Sequence, residues 1–257
     1  MTATTTAPVH HATIDTTRTN PTRVLMVVAN STTSTTTGWP VGFWAAELTH
    51  PYFEFTQVGY EVTVASPDGG QVQVDRLSDP RDPSRWSADD LISMGFLNTP
   101  ELMALLEDTP RLADLDPDDY DAIVVCGGQS PSFTFRDNKD LHQAIRAFYE
   151  AEKPTVALCH GVAALVDATL SDGSYLVEGK TVTAFADVEE EFSDARNGRT
   201  ITPIELRLQP ALTARGANYV QGGLWKPFVV RDGRLITGQQ QYSGRKVALT
   251  LIEALGV

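Results

Sequence analysis

A chain of 257 residues with 42% hydrophobic and 21% charged residues has the composition of a globular α/β protein with room for a sizeable core. Its formal net charge of −13 argues against nucleic acid or an anionic membrane as the main partner. It contains two cysteines, Cys126 and Cys159. That excludes a secreted disulfide framework and favours a reducing, cytoplasmic compartment.

No apolar run approaches the length of a membrane span, and the N-terminus lacks the apolar core of a signal peptide. Residues 1–22 are rich in Thr and Ala and read as a disordered leader. Residues 23–257 read as one domain. Residues 23–29 form a continuously apolar first strand, as a central parallel strand should be. A Ser/Thr-rich loop follows over residues 30–40. A helix is expected over residues 42–58, with a kink or break at Pro51. Residues 60–66 alternate as a second strand, and residues 71–74 read as a short extra strand or hairpin. Residues 76–85 leave the core. Helices are expected over residues 87–94 and 99–106, the latter with Thr99 as N-cap before Pro100.

Residues 122–126, A-I-V-V-C, form a buried strand that runs into Gly127-Gly128-Gln129. An amphipathic helix over residues 138–152 leads to another apolar strand over residues 155–158. Further on come a strand over residues 180–184, an acidic helix start at residues 187–195, and a helix over residues 203–215 capped by Gly216. A hairpin turns at Asp232-Gly233, and a last helix spans residues 242–255. Strands alternating with helices imply an α/β fold: a mostly parallel, flavodoxin-like sheet sandwiched by helices.

The chain is organised around residues 154–165, P-T-V-A-L-C-H-G-V-A-A-L. A strand turning sharply into a helix with Cys159 in the turn is a nucleophile elbow. The helix N-terminus there favours thiolate over thiol. Three features converge on Cys159. Gly127 and Gly128 end a strand and can aim N–H groups at an oxyanion. Glu47, on the first helix, would serve as acid or base if buried. One of the acids in residues 187–191, D-V-E-E-E, could orient His160 as a triad member. The alternatives are an ordinary tight turn, an exposed helix Glu and a solvated acidic helix start. Glu47 and His50, three apart on a helix, make half a metal site without a second half, so no metal is expected.

These segments resemble the DJ-1/PfpI superfamily, of the class I glutamine amidotransferase-like fold, and within it the Hsp31-like glyoxalase III branch. The resemblance rests on G-F-W-A-A-E-L-T-H-P-Y at residues 42–52 and Y-E-V-T-V-A-S-P-D-G-G at residues 60–70. It continues in C-G-G at 126–128, A-L-C-H-G at 157–161, V-T-A-F-A-D-V-E-E-E at 182–191 and D-G-R-L-I-T-G-Q at 232–239. It implies Cys159 as nucleophile, His160 beside it and Glu47 as the acid on the elbow. Glu190 is implied as the partner of His160, with Glu189 the next choice. Gly128 and His160 would supply oxyanion N–H groups, and Gly127 and Gln129 would line the same site.

The implied activity is glutathione-independent conversion of methylglyoxal to lactate, a lyase (D-lactate dehydratase) reaction on a small aldehyde by a homodimer without cofactor. Two other functions fit the same residues: a cysteine hydrolase of amides or peptides, and a stress chaperone or redox sensor using an exposed, low-pKa Cys159. The chain departs from the family at Gln129-Ser130, where relatives often read His-Gly, and at residues 238–243, G-Q-Q-Q-Y-S, where they often read G-Q-N-P-x-S. Both stretches are expected at the mouth of the pocket.

Overall fold

The computed structural model describes residues 21–256. Residues 1–20 of the expected leader lie outside them; Thr22, by contrast, is buried and its carbonyl accepts the Glu61 N–H at 2.8 Å. The strands are β1 (Arg23–Val27), β2 (Thr32–Thr33), β3 (Pro40–Val41), β4 (Glu61–Ala65), β5 (Ala122–Val125), β6 (Thr155–Leu158), β7 (Thr181–Val182), β8 (Asn218–Tyr219), β9 (Val229–Asp232) and β10 (Leu235–Gly238). The α-helices are α1 (Ala45–Gln57), α2 (Leu91–Leu97), α3 (Pro100–Glu107), α4 (Gln129–Thr134), α5 (Lys139–Glu150), α6 (Ala163–Val166), α7 (Asp187–Asn197), α8 (Leu208–Ala214) and α9 (Gly244–Ala254).

The main sheet has the order β4-β1-β5-β6-β10-β9 and is parallel except for β9, which runs antiparallel to β10. Its central strands bury both faces, which is why they read as unbroken apolar runs. Leu25, Val27, Ile123, Val125 and Ala157 face a core shared with Leu141, Ile145 and Phe148 of α5. Val24, Met26, Val124, Val156 and Leu158 face the other way, onto Leu48 and Phe55 of α1 and Val247 and Leu251 of α9. From β1 the chain first passes outward to β4 and then crosses back to β5. The crevice at the C-terminal ends of strands flanking such a reversal is where open α/β sheets bind ligands.

Several elements differ from the sequence expectation. α1 begins at Ala45, three residues late. Gly42 and Phe43 run extended against residues 73–74, and a Cβ on Gly42 would sit 1.9 Å from the Gln73 carbonyl oxygen. The first helical N–H, of Ala45, is then satisfied by the Ser78 hydroxyl at 2.9 Å. Residues 71–74 contribute only one isolated bridge, from Val74 to Phe43. α4 is unforeseen, because six residues carrying Pro131 show no helical periodicity. The strand expected over residues 180–184 shrinks to Thr181–Val182, and the helix over residues 203–215 resolves into a 3-10 turn followed by α8. Thr99 occupies the N-cap of α3, but its hydroxyl donates to the Gly95 carbonyl instead.

Pro51 lies inside an unbroken α1 rather than ending it. Proline has no N–H, so the Glu47 carbonyl one turn earlier loses its intrahelical donor. The Cys126 thiol, at the end of β5, donates to that carbonyl at 3.3 Å. A sulfur thus repairs the break and ties α1 to the sheet beside the crevice. Cys126→Ala should lower stability by about 1 kcal/mol in the native background. It should cost distinctly less in a Pro51→Ala background, where residue 51 supplies the missing N–H. A urea-unfolding double-mutant cycle reads the difference; equal costs in both backgrounds would refute the account.

Candidate active site

At the end of β6 the backbone turns so abruptly that Cys159 adopts φ +55°, in the left-handed region that side chains disfavour. Gly161 permits the turn: a Cβ there would lie 2.6 Å from the Val125 carbonyl oxygen. The elbow continues as a 3-10 turn, Cys159–Val162, and only then as the four-residue α6. The expected nucleophile elbow is therefore present, but the helix behind it is a single turn.

Cys159, His160 and Glu190 form a chain. Cys159 Sγ lies 3.7 Å from His160 Nδ1, and His160 Nε2 lies 2.7 Å from Glu190 Oε1. A carboxylate only accepts, so Nε2 is the donor of this pair. All three side chains are buried, and Phe185 stacks on the imidazole with ring centroids 4.4 Å apart. Both Glu189 and Glu190 are buried at the start of α7, but they point into different networks. Glu189 Oε1 accepts the Trp225 N–H at 3.0 Å and the Gln239 amide at 2.9 Å. The carboxylate beside His160 is thus Glu190, and Glu189 anchors the loop that carries Trp225. Trp225 itself sits at φ +54° and packs against Phe185 at 5.8 Å.

Glu47 reaches the elbow from the first turn of α1. It has no exposed surface, and Oε2 accepts the Gly127 N–H at 2.7 Å. Oε1 has no hydrogen-bond partner among the described residues. Burial drives this carboxyl from 4.5 up to about 8, against the opposing pull of the Cys159 thiol and the Gly127 N–H; the charge of Asp75 pushes the same way as burial. At neutral pH Glu47 therefore holds a proton.

The same surroundings correct the expectation for Cys159. The thiol is 3% exposed, and burial raises it well above its ordinary value. The His160 backbone N–H, aimed at the sulfur, opposes this without reversing it. The sulfur is thus buried rather than exposed, and its surroundings oppose ionisation.

Gly127 and Gly128 cross directly over this group. The Gly127 carbonyl accepts the Trp44 N–H at 3.0 Å. Gly128 sits at φ +121°, with no room for a Cβ, which would lie 2.4 Å from Trp44 N. Gln129 opens α4 and its N–H donates to Asp75 Oδ2 at 2.6 Å. Asp75 had no motif to announce it. The signal available was an acid closing the alternating run V-Q-V-D, with Ser78 three residues on.

Two other expectations change. Gln239 and Gln240 do not line a pocket mouth; both are fully buried, and their amides hold Gly222 N–H and the Lys226 carbonyl. His50 turns away from Glu47 and bonds Asp90 at 2.8 Å, so the half metal site is not assembled.

This geometry can be set beside known proteins. The DJ-1/PfpI family matches residues 40–254. The chain belongs to the DJ-1/PfpI family. Glyoxalase 3 of Candida albicans is 29% identical over 225 residues, covering 84% of this chain and 91% of that one. The glutathione-independent glyoxalase HSP31 of Saccharomyces cerevisiae is 27% identical over 226 residues, covering 85% and 91%. The crystal structure of the Candida albicans glyoxalase III superposes with a TM-score of 0.77 at 27% identity, covering 91% of this chain and 97% of that one. The mostly parallel sheet flanked by helices is thus the DJ-1/PfpI fold. Among the described residues no helix is long and apolar enough to cross a membrane.

A buried acid with a raised pKa works against stability as pH rises. Below 4.5 both folded and unfolded Glu47 are protonated; between 4.5 and about 8 only the folded form keeps its proton, so stability falls across that window. A shift of that size corresponds to roughly 5 kcal/mol as an upper bound. Asp75, raised to about 6, adds to the slope at its lower end. Glu47→Gln should therefore flatten the decline and be more stable than the native protein at alkaline pH. Urea unfolding near pH 5 and near pH 9 measures this; equal pH slopes for both proteins would show that Glu47 is not buried as an acid.

Proposed function

We propose that this DJ-1/PfpI protein is a glutathione-independent glyoxalase that converts methylglyoxal to lactate with its own side chains. The observation that carries the reading is the fully buried Glu47 carboxyl, bonded to the Gly127 N–H beside the elbow that carries Cys159 and His160. Relatives of comparable length, those of Candida albicans and Saccharomyces cerevisiae, are named glyoxalases.

His160 Nδ1 takes the thiol proton as Sγ bonds the aldehyde carbon, while the Gly128 and His160 N–H groups stabilise the oxyanion. The imidazolium, steadied by Glu190, returns that proton to the oxygen and leaves a hemithioacetal. His160 next removes the hydrogen on the former aldehyde carbon as Glu47 protonates the neighbouring carbonyl oxygen, giving an enediol. The imidazolium then protonates the second carbon while Glu47 recovers a proton from the first hydroxyl. The product is a lactoyl thioester, which water cleaves to lactate and free Cys159. Every proton returns to its starting group, and no electrons leave the substrate.

A hydrolase would need the Cys159–His160–Glu190 chain but no acid on the other side of the sulfur. Glu47 is buried at a large electrostatic penalty, which favours the isomerising reaction over simple acyl transfer. The resemblance also carries a homodimer, and a reactive thiol requires a reducing compartment such as the cytoplasm. Sedimentation at twice the chain mass would support the dimer; a monomer would exclude it.

Methylglyoxal consumption and lactate formation without glutathione should fall by about three orders of magnitude in Cys159→Ala and by about two in Glu47→Gln. Retention of activity by Cys159→Ser would sink the mechanism. The native rate should also decline as pH rises through about 8, where Glu47 loses its proton. A rate that keeps rising beyond that point would remove Glu47 as the acid.

A further inference from the structure

Three consecutive residues, Gly127, Gly128 and Gln129, follow β5 beside the elbow, each with a backbone N–H. The first donates to Glu47 Oε2 at 2.7 Å and the third to Asp75 Oδ2 at 2.6 Å. Gly128 lies between these two fixed points in a conformation open only to glycine. Asp75 is itself immobilised. Its other oxygen accepts the Gly42 N–H at 2.8 Å, its own N–H donates to the Phe43 carbonyl at 2.7 Å, and its carbonyl accepts the Ser78 hydroxyl at 2.7 Å. It is 5% exposed, and the partners of its side chain are two backbone N–H groups.

A buried carboxylate is an expensive way to satisfy two amides that a neutral side chain could also serve in part. We infer that Asp75 is a positioning residue for the reaction: it clamps the Gly127–Gln129 loop so that the Gly128 N–H meets the developing oxyanion. The inference rests on the reading that Gly128 is an oxyanion donor. Glu47 from α1 and His160 from the elbow are the titratable groups that face Asp75; the adjacent Arg76 is paired outward with Asp82. Burial lifts Asp75 to about 6, against the two N–H bonds and the nearby His160. Its charge in turn helps Glu47 keep its proton. Below about pH 6 the clamp is neutral and weaker; above it, the clamp is charged and Glu47 is held protonated.

The test uses the full chain, with Asp75→Asn beside the native protein. Asparagine keeps the shape but can accept only one of the two N–H groups. The expected result is a kcat lowered about tenfold to a hundredfold, with KM within about twofold, because the misplaced donor matters most in the transition state. The alkaline limb of the rate profile should also move to lower pH, since Glu47 loses a like-charged neighbour. Unchanged kcat and an unmoved limb overturn the proposal. So does a loss of activity that tracks a lowered melting temperature with the limb unmoved, which would make Asp75 a residue of the fold alone.

A second measurement needs neither variant nor activity. In the native protein the amide resonances of Gly42 and Gln129 should shift together with a midpoint near 6. If neither moves between about pH 5 and pH 7, the clamp is refuted. If both titrate but the native protein leaves methylglyoxal untouched, the clamp stands and the glyoxalase reading fails.

Discussion

The contact on which the rest depends is the Gly127 N–H held by the Glu47 carboxyl beneath the Cys159 sulfur. It joins the first helix, the glycine turn after β5 and the elbow after β6 at one buried point. Placing a carboxyl there is unfavourable, so the surrounding structure has to hold it in place. Ser78 satisfies the first N–H of α1, and Cys126 takes the carbonyl that Pro51 leaves open. The helix is thereby fixed at both ends of its first turn, and Glu47 cannot swing out to water.

That placement decides what the thiol can do. A sulfur at a long helix N-terminus, in water, would ionise readily. Here the helix behind it is one turn long, the sulfur is buried, and its neighbour is an acid. The resting site is consequently neutral on one side, with Cys159 and Glu47 both protonated, and polar on the other, where His160 is tied to Glu190. A buried carboxyl and an imidazole thus meet at the same elbow, each held by its own hydrogen bond.

The acids of the site divide the labour by geometry, not by sequence position. Glu189 and Glu190 are neighbours, yet one secures Trp225 and Gln239 while the other secures the imidazole. Successive residues of a helix point about a hundred degrees apart, so adjacent acids seldom share a partner. Asp75 comes from a loop outside the regular elements and still reaches the centre, because the close approach at Gly42 brings residues 73–75 alongside the start of α1.

Much of the sheet was legible in the order of residues. Doubly buried strands must be continuously apolar, and the runs at residues 23–29, 122–126 and 155–158 are; a cysteine followed by histidine and glycine after such a run marks an elbow. The start of α1 was not legible, because it is set by the Gln73 carbonyl pressing on Gly42, a contact between distant parts of the chain. Nor was the survival of the helix across Pro51, which needs a thiol from another strand. The short helix α4 shows too few residues for periodicity to register. The sequence alone therefore determined the α/β class, the elbow that carries Cys159 and the acids available around it, since composition and local pattern decide which strands are buried and where turns fall. Which acid meets which group, and whether the thiol rests charged or neutral, only the tertiary structure decided, because desolvation and charge coupling depend on what is packed around a side chain and not on its neighbours in sequence.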